Sequence, residues 1–260
     1  MSNFHPGFAI SPTSDPLGFL YGADTFGPVP EMRSLAAIRG SLREPNCDGP
    51  DPVYAIAMDV GRRADETELR QRMMLFGAVS YAAGRLGSEP VRSQGHVHKI
   101  SSHSGWSPPE VYEVWAGHAF IYMQERVADD PGRCFAIHAG PGDIVIVPPG
   151  WAHGTISADV DHPVAFGALC DREYRFLYDG VRKRQGLAWY ARIETDGTIR
   201  WERNPKYQAP EIEIHEPGNY SGFGFDDEQP LYSQVVSNLD RFQWISNPGL
   251  AAHLWRQFQP

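Results

Sequence analysis

The chain has 260 residues, 42% of them hydrophobic, with 26 glycines, 22 prolines and a formal net charge of −9. That length and turn-rich composition support one large all-β domain with extensions, or two small domains, rather than a helical bundle. The acidic balance argues against a nucleic-acid or anionic-membrane partner, because no stretch reads as a basic face.

The N-terminus, Met1-Ser-Asn-Phe-His-Pro6, has no basic segment leading into an apolar core, so it does not read as a secretory leader. No run of about 18 apolar residues is present, so no bilayer-spanning helix is expected. Cys47, Cys134 and Cys170 are far apart and odd in number. They fit neither a disulfide framework nor a thiolate metal site, and the cytoplasm is the expected compartment. Residues 1–50 are rich in Gly, Pro, Asp and Ser and read as an arm lying on the barrel or on a second subunit. One helix is predicted at Pro30–Arg39, with a proline at its start and Gly40 ending it.

Residues 51–200 read as the main domain. Asp51–Met58 is a predicted strand with Pro52 at its entry, and Leu75–Ala82 is a second, closed by Gly84. Between them, Asp65–Arg72 fits a short helix or a polar hairpin equally well. Short strands follow at His96–Ile100, Val111–Trp115, Ala119–Met123, Cys134–His138, Asp143–Val147, His153–Ile156, Val164–Leu169 and Leu187–Ile193, punctuated by Gly117, Pro131-Gly132, Pro141-Gly142 and Pro148-Pro149-Gly150. Short strands without helical patterns between them indicate a sandwich or barrel. Residues 201–260 change character, with several X-Pro turns and the aromatic run Tyr220–Phe225. A last helix is predicted from Asn247-Pro248, with Leu250, Leu254, Trp255 and Phe258 on its apolar face. This tail is expected to pack on the barrel or across a dimer interface.

One stretch, Gly95 to Ser157, carries chemistry. His96 and His98 are two apart, and on a strand residues two apart share a face. With one carboxylate and a third imidazole they form a three-nitrogen, one-oxygen set that suits a first-row divalent metal and leaves positions open for water or substrate. Glu110 and Glu113 compete for the carboxylate role, and alternation puts them on opposite faces of their strand. His103, His118 and His138 read as surface or hydrogen-bonded histidines.

From Gly142 to His153 the spacing is G-x5-P-x-G-x2-H, which resembles the second motif of the cupin superfamily. The first motif is similar too: H-x-H, then Glu110, then Gly117, a spacing that selects Glu110 over Glu113. Three departures stand out: Pro90 replaces the leading glycine, Ser157 replaces a final Asn, and 101–109 is inserted before Glu110. Within the superfamily, Glu110-Val-Tyr112 and Val147-Pro-Pro-Gly-Trp-Ala-His153 resemble the cupin-type (archaeal-type) glucose-6-phosphate isomerases, the similarity running from about Arg33 to Lys206.

The resemblance implies a single jelly-roll-like β-barrel with N- and C-terminal extensions. It implies a homodimer binding one divalent metal per chain (Fe, Mn, Ni or Zn) and interconverting glucose 6-phosphate and fructose 6-phosphate. By it, His96, His98, Glu110 and His153 are the ligands, with Glu110, Tyr112 and His153 the catalytic groups. Tyr54, Ser93, Gly95 and Tyr178 would bind substrate, Ser93 replacing a phosphate-binding Thr. A second phosphate-binding Thr falls on Ala78, a family His near Phe176 and a family Tyr near Cys170. Arg85, Arg92 and the Arg182-Lys183-Arg184 cluster are the alternative phosphate contacts. Three other readings remain open: an isomerase or epimerase of another sugar phosphate, a cupin Fe(II) dioxygenase, and a sugar-binding cupin without turnover.

Overall fold

Alternating small, branched and aromatic side chains between glycine and proline turns build two main, largely antiparallel sheets in this computed structural model, which describes residues 4–226 and 229–260. The larger sheet has six strands, in the order Ile144–Val147, Glu110–Ala116, Val164–Asp171, Met74–Tyr81, Tyr54–Met58 and Glu31–Arg33. The smaller has four, ordered Ala152–Ser157, Ala119–Gln124, Cys134–Ala139 and Ile212–His215, the last joining in parallel. Val114, Val145 and Val147 from the first and Ile121, Met123, Phe135 and Ile137 from the second belong to one buried cluster. The chain therefore adopts the expected all-β cupin architecture, a jelly roll of two facing sheets. Among the described residues no helix is long and apolar enough to cross a membrane.

The arm and the tail cover the outer face of the larger sheet. Phe8 of the arm packs against Phe76 and Trp115, and Tyr232 against Phe76 (centroids 6.2, 6.1 and 5.2 Å). Behind the smaller sheet the hairpin of Trp189–Ile193 and Ile199–Arg203 lays Trp201 over Tyr122 (6.0 Å). Phe258 is buried as expected, whereas Leu250 is exposed.

The helix expected over Pro30–Arg39 is a correction. Glu31–Arg33 is instead an edge strand paired with Tyr54–Ile56, and the helix is confined to Leu35–Ile38, where the Ser34 hydroxyl accepts from the Ala37 N–H. The edge of the large sheet captured residues whose local pattern allowed a helix, and proline at an edge entry costs no ladder bond. The final helix is likewise shorter than expected, a 3-10 turn at Pro248–Ala251 followed by Ala252–Trp255. The ambiguous segment after Asp65 is helical, over Glu66–Gln71. The hairpin Ile10–Tyr21, the strand Ile212–His215 and the helix Leu231–Ser237 were not legible in the pattern.

Candidate metal centre and substrate chamber

Residues 91–96 run beside the strand Ala152–Ser157. Ser157 N–H bonds Val91 O, Ser93 N–H bonds Thr155 O, and His96 and His153 exchange both backbone bonds at 2.9 Å. This pairing lays His96 opposite His153, and alternation turns His98 to the same side as His96. The chain can thread there only because residue 95 is glycine. Its φ is +79°, and a Cβ would stand 2.8 Å from the Leu187 side chain. Glu110 opens the adjoining strand, with Tyr112 on its own face and Glu113 on the opposite one. Glu113 is buried on the outer face, where its carboxylate accepts from Leu231 N–H and Trp115 Nε1.

His96, His98, Glu110 and His153 thus meet, all buried, with one donor atom of each lying within 4.8 Å of the others. Nε2 of His96 lies 3.2 Å from Nε2 of His98, and Glu110 Oε2 lies 2.8 Å from His153 Nε2 and 3.4 Å from His98 Nε2. His98 Nδ1 sits 3.0 Å from the Pro108 carbonyl and His153 Nδ1 3.0 Å from the Trp151 carbonyl. A carbonyl only accepts, so both Nδ1 atoms carry the proton and both Nε2 atoms turn a lone pair inward. Lone pairs converging on a carboxylate oxygen repel unless a cation lies among them, so the donor set fits a divalent metal of the kind bound by imidazole and carboxylate. Burial, with His153 beside it, pushes His96 down to about 3, keeping it neutral and able to ligate. Burial alone would raise Glu110, but its close contacts with His153, His96 and His98 outweigh it and hold the carboxyl well below its usual range. Tyr112 donates from its hydroxyl to Glu110 Oε2 at 2.8 Å.

The chamber beside this cluster is lined by every residue the sequence reading assigned to substrate: Tyr54, Ser93, Gly95 and Tyr178, with Tyr112 and Glu110. Ser93 Oγ accepts from the Thr155 N–H at 3.1 Å. Tyr81 and Phe166 complete an aromatic wall (Tyr54–Tyr81 5.2 Å, Tyr81–Phe166 5.4 Å), beside which Thr155 also lines the chamber. Phe176, where the family resemblance places a histidine, packs on His96 and His98 with centroids at 4.2 and 5.5 Å.

Several expectations fail here. Ala78 lies opposite Ala57 and Gly167 on the face that carries Phe76, so no side chain at 78 reaches the chamber, and Val79 is the residue that does. Arg92 is spent on Glu89 and the carbonyls of Ser93 and Ser41, and Arg184 on Asp129 and the Lys206 carbonyl. Arg85 lines a separate hollow with His118 and His138. Arg182 donates to Gln94 Oε1 at 2.8 Å, and among the described residues the buried Gln94 Nε2, on the chamber wall, has no partner. Gln94 was missed, although two-residue alternation back from His96 was the signal that pointed to it.

Residues 33–210 match the family model described as glucose-6-phosphate isomerase. The glucose-6-phosphate isomerase of Thermococcus litoralis is 29% identical over 145 residues, covering 56% of this chain and 70% of that protein. That of Thermococcus onnurineus is 27% identical over 146 residues, covering 56% and 71%. Among solved structures, oxalate decarboxylase from Bacillus subtilis matches with a TM-score of 0.35 and 14% identity, over 59% of this chain and 30% of that one. With the family model spanning more than half of its length, the chain belongs to the glucose-6-phosphate isomerase family.

Proposed function

We propose that this chain is a cytoplasmic, homodimeric aldose–ketose isomerase that interconverts glucose 6-phosphate and fructose 6-phosphate with one Fe, Mn, Ni or Zn ion held by His96, His98, Glu110 and His153. The observation that carries this reading is the convergence of those four buried donors on one side of a tyrosine-walled chamber, in a member of this family.

A bound divalent ion would supply Lewis-acid stabilisation for negative charge developing on the sugar's carbonyl oxygen. The chain's own groups do the rest. Isomerisation moves one hydrogen between C1 and C2, and Glu110, held ionised by its neighbours, is the carboxylate at hand to carry a proton between them. Tyr112, donating its hydroxyl to Glu110 Oε2, aims that carboxylate, and His153 stands beside it with Nε2 2.8 Å from the same oxygen. Tyr54, Tyr178, Ser93 and the backbone at Gly95 wall the sugar and exclude water. The exposed Leu20, Val29 and Met32 of the arm are apolar surface that a second subunit would cover, a point that light scattering on the purified chain tests.

The test of the reaction is to follow fructose 6-phosphate by NMR with the metal-bound protein, beside fructose and other sugar phosphates. Formation of glucose 6-phosphate from fructose 6-phosphate alone supports the assignment. Conversion of a different sugar phosphate, or none, removes it.

A further inference from the structure

His153 and His98 both donate from Nδ1 to a backbone carbonyl, but over very different lengths of chain. His153 finds its partner two residues away, at Trp151, on the turn that leads into its own strand. His98 reaches the carbonyl of Pro108, ten residues further on, at 3.0 Å. Between the two lies the 101–109 insert. An imidazole ligand points where the partner of its other nitrogen holds it, so His98 is aimed only as well as the far end of that loop is placed. Ser107, from the same end, donates its hydroxyl to the His98 carbonyl at 2.7 Å. The loop thus grips the ligand by its ring and by its backbone.

The loop itself belongs to no strand ladder. The Ser101 N–H donates to the Trp106 carbonyl at 2.8 Å and the Gly105 N–H to the Ser101 carbonyl at 2.9 Å, which closes 101–106 into a compact turn around the buried Ser101. Glu173 fastens that turn to the barrel. Its Oε2 accepts from the hydroxyls of Ser101 (3.3 Å) and Ser102 and from the His103 N–H (3.0 Å). Bonds to an ionised acceptor are the stronger kind. Glu173 is placed in turn by the sheet, its N–H donating at 2.8 Å to Oδ1 of the fully buried Asp171. Asp171 ends the strand Val164–Asp171, which lies between Glu110–Ala116 and Met74–Tyr81. A continuous line of bonds therefore runs from a strand that carries none of the four ligands, through Glu173 and the insert, to the ring of His98.

We propose that Glu173 is a positioning residue for the metal centre. By fastening the 101–109 insert it keeps the Pro108 carbonyl on the His98 Nδ1–H, and so fixes the direction of the His98 Nε2 lone pair. This rests on the assignment of His98 as a ligand and not on the identity of the sugar. The stretch that departs from the cupin spacing is thereby the support of one metal ligand.

The test is titration of Mn(II) into the full chain, stripped beforehand with a chelator and followed by electron paramagnetic resonance. The signal reads both the amount of free ion and the symmetry of the bound one. Wild type is compared with Glu173→Ala, which removes the anchor, and with Glu173→Gln, which keeps an acceptor oxygen for the three donors but not the charge. Glu173 is exposed, so neither change opens a hole in the core, and both metal-free variants should unfold within about 2 °C of wild type. Glu173→Ala should bind Mn(II) about tenfold more weakly, with an altered splitting of the bound-ion spectrum, while Glu173→Gln stays within about threefold of wild type with its spectrum unchanged. An unchanged affinity and spectrum in Glu173→Ala overturns the proposal and leaves the ligand assignment standing. An equal loss in Glu173→Gln also overturns it, because the effect is then one of charge on the cation rather than of placement. If wild type binds no Mn(II), the ligand assignment falls and the proposal with it. Turnover of fructose 6-phosphate plays no part in the readout, so the isomerase reading stands or falls separately.

Discussion

Glu113 offers a sharp test of the packing behind the metal strand. It is fully buried on the outer face of the large sheet, and its carboxylate accepts from Trp115 Nε1 at 2.9 Å and from the backbone N–H of Leu231, the first residue of the helix Leu231–Ser237. Burial raises its pKa to about 7, the two N–H groups offsetting only part of that cost. The sign of the consequence follows directly. Below the ordinary carboxyl value of 4.5 the side chain is protonated both folded and unfolded, and nothing is lost. Between there and about 7 the unfolded chain releases the proton while the folded chain keeps it, so stability falls as pH rises. At about 1.4 kcal/mol per pH unit, that window is worth about 3 kcal/mol. Urea denaturation of wild type and Glu113→Gln, at steps from pH 5 to pH 8, isolates this group because every other titration is common to both. Wild type should lose about 2.5 kcal/mol more than the variant over that range, the first part of the window lying below pH 5, whatever the variant's lower starting stability from a mispaired N–H. Parallel pH profiles would refute the argument and place Glu113 as an ordinary ionised acceptor.

Other outcomes follow from the same geometry. His153→Ala should abolish both metal retention and turnover, and an unchanged metal content in the purified variant would remove His153 from the ligand set. Tyr112→Phe takes away the hydroxyl that holds Glu110, so metal affinity measured by competition with a chelator should fall about ten- to a hundredfold. Gln94→Leu removes the unpartnered amide on the chamber wall and should raise KM for the sugar phosphate about tenfold with little change in metal content. An unchanged KM would show that the amide meets no substrate group. Ala78→Thr should leave KM unchanged, since position 78 faces away from the chamber, while costing about 1–3 kcal/mol in thermal unfolding through overpacking against buried neighbours.

The four-donor cluster was legible in the sequence partly from local pattern and partly from the resemblance, whose motif spacing chose Glu110 and His153. The H-x-H step fixes two imidazoles on one face, and alternation from Glu110 separates it from Glu113. The chamber tyrosines were legible only through resemblance, since nothing in the pattern around Tyr54 or Tyr178 says that they meet. What was missed depends on pairings between distant segments. Glu173 comes beside the 101–109 insert only when Val97–His98 finds Phe176–Leu177. The ladder Tyr54–Ile56 decides that Glu31–Arg33 is a strand rather than the start of a helix. The misreading of Ala78 has the same origin. A one-residue step in strand register moves a side chain to the opposite face, and only the ladder with Val164–Asp171 settles which face is which. In the tail, the parallel addition of Ile212–His215 beside Cys134–Ile137 supplies order that its sequence pattern did not advertise.

The central claim is that isomerisation requires a metal held by His96, His98, Glu110 and His153. The most direct measurement strips the protein with a chelator, reloads it separately with Fe(II), Mn(II), Ni(II) or Zn(II), and couples fructose 6-phosphate turnover to glucose 6-phosphate detection. The account predicts no activity in the stripped protein and recovery in proportion to bound metal, up to one ion per chain. Full activity after complete metal removal would contradict it.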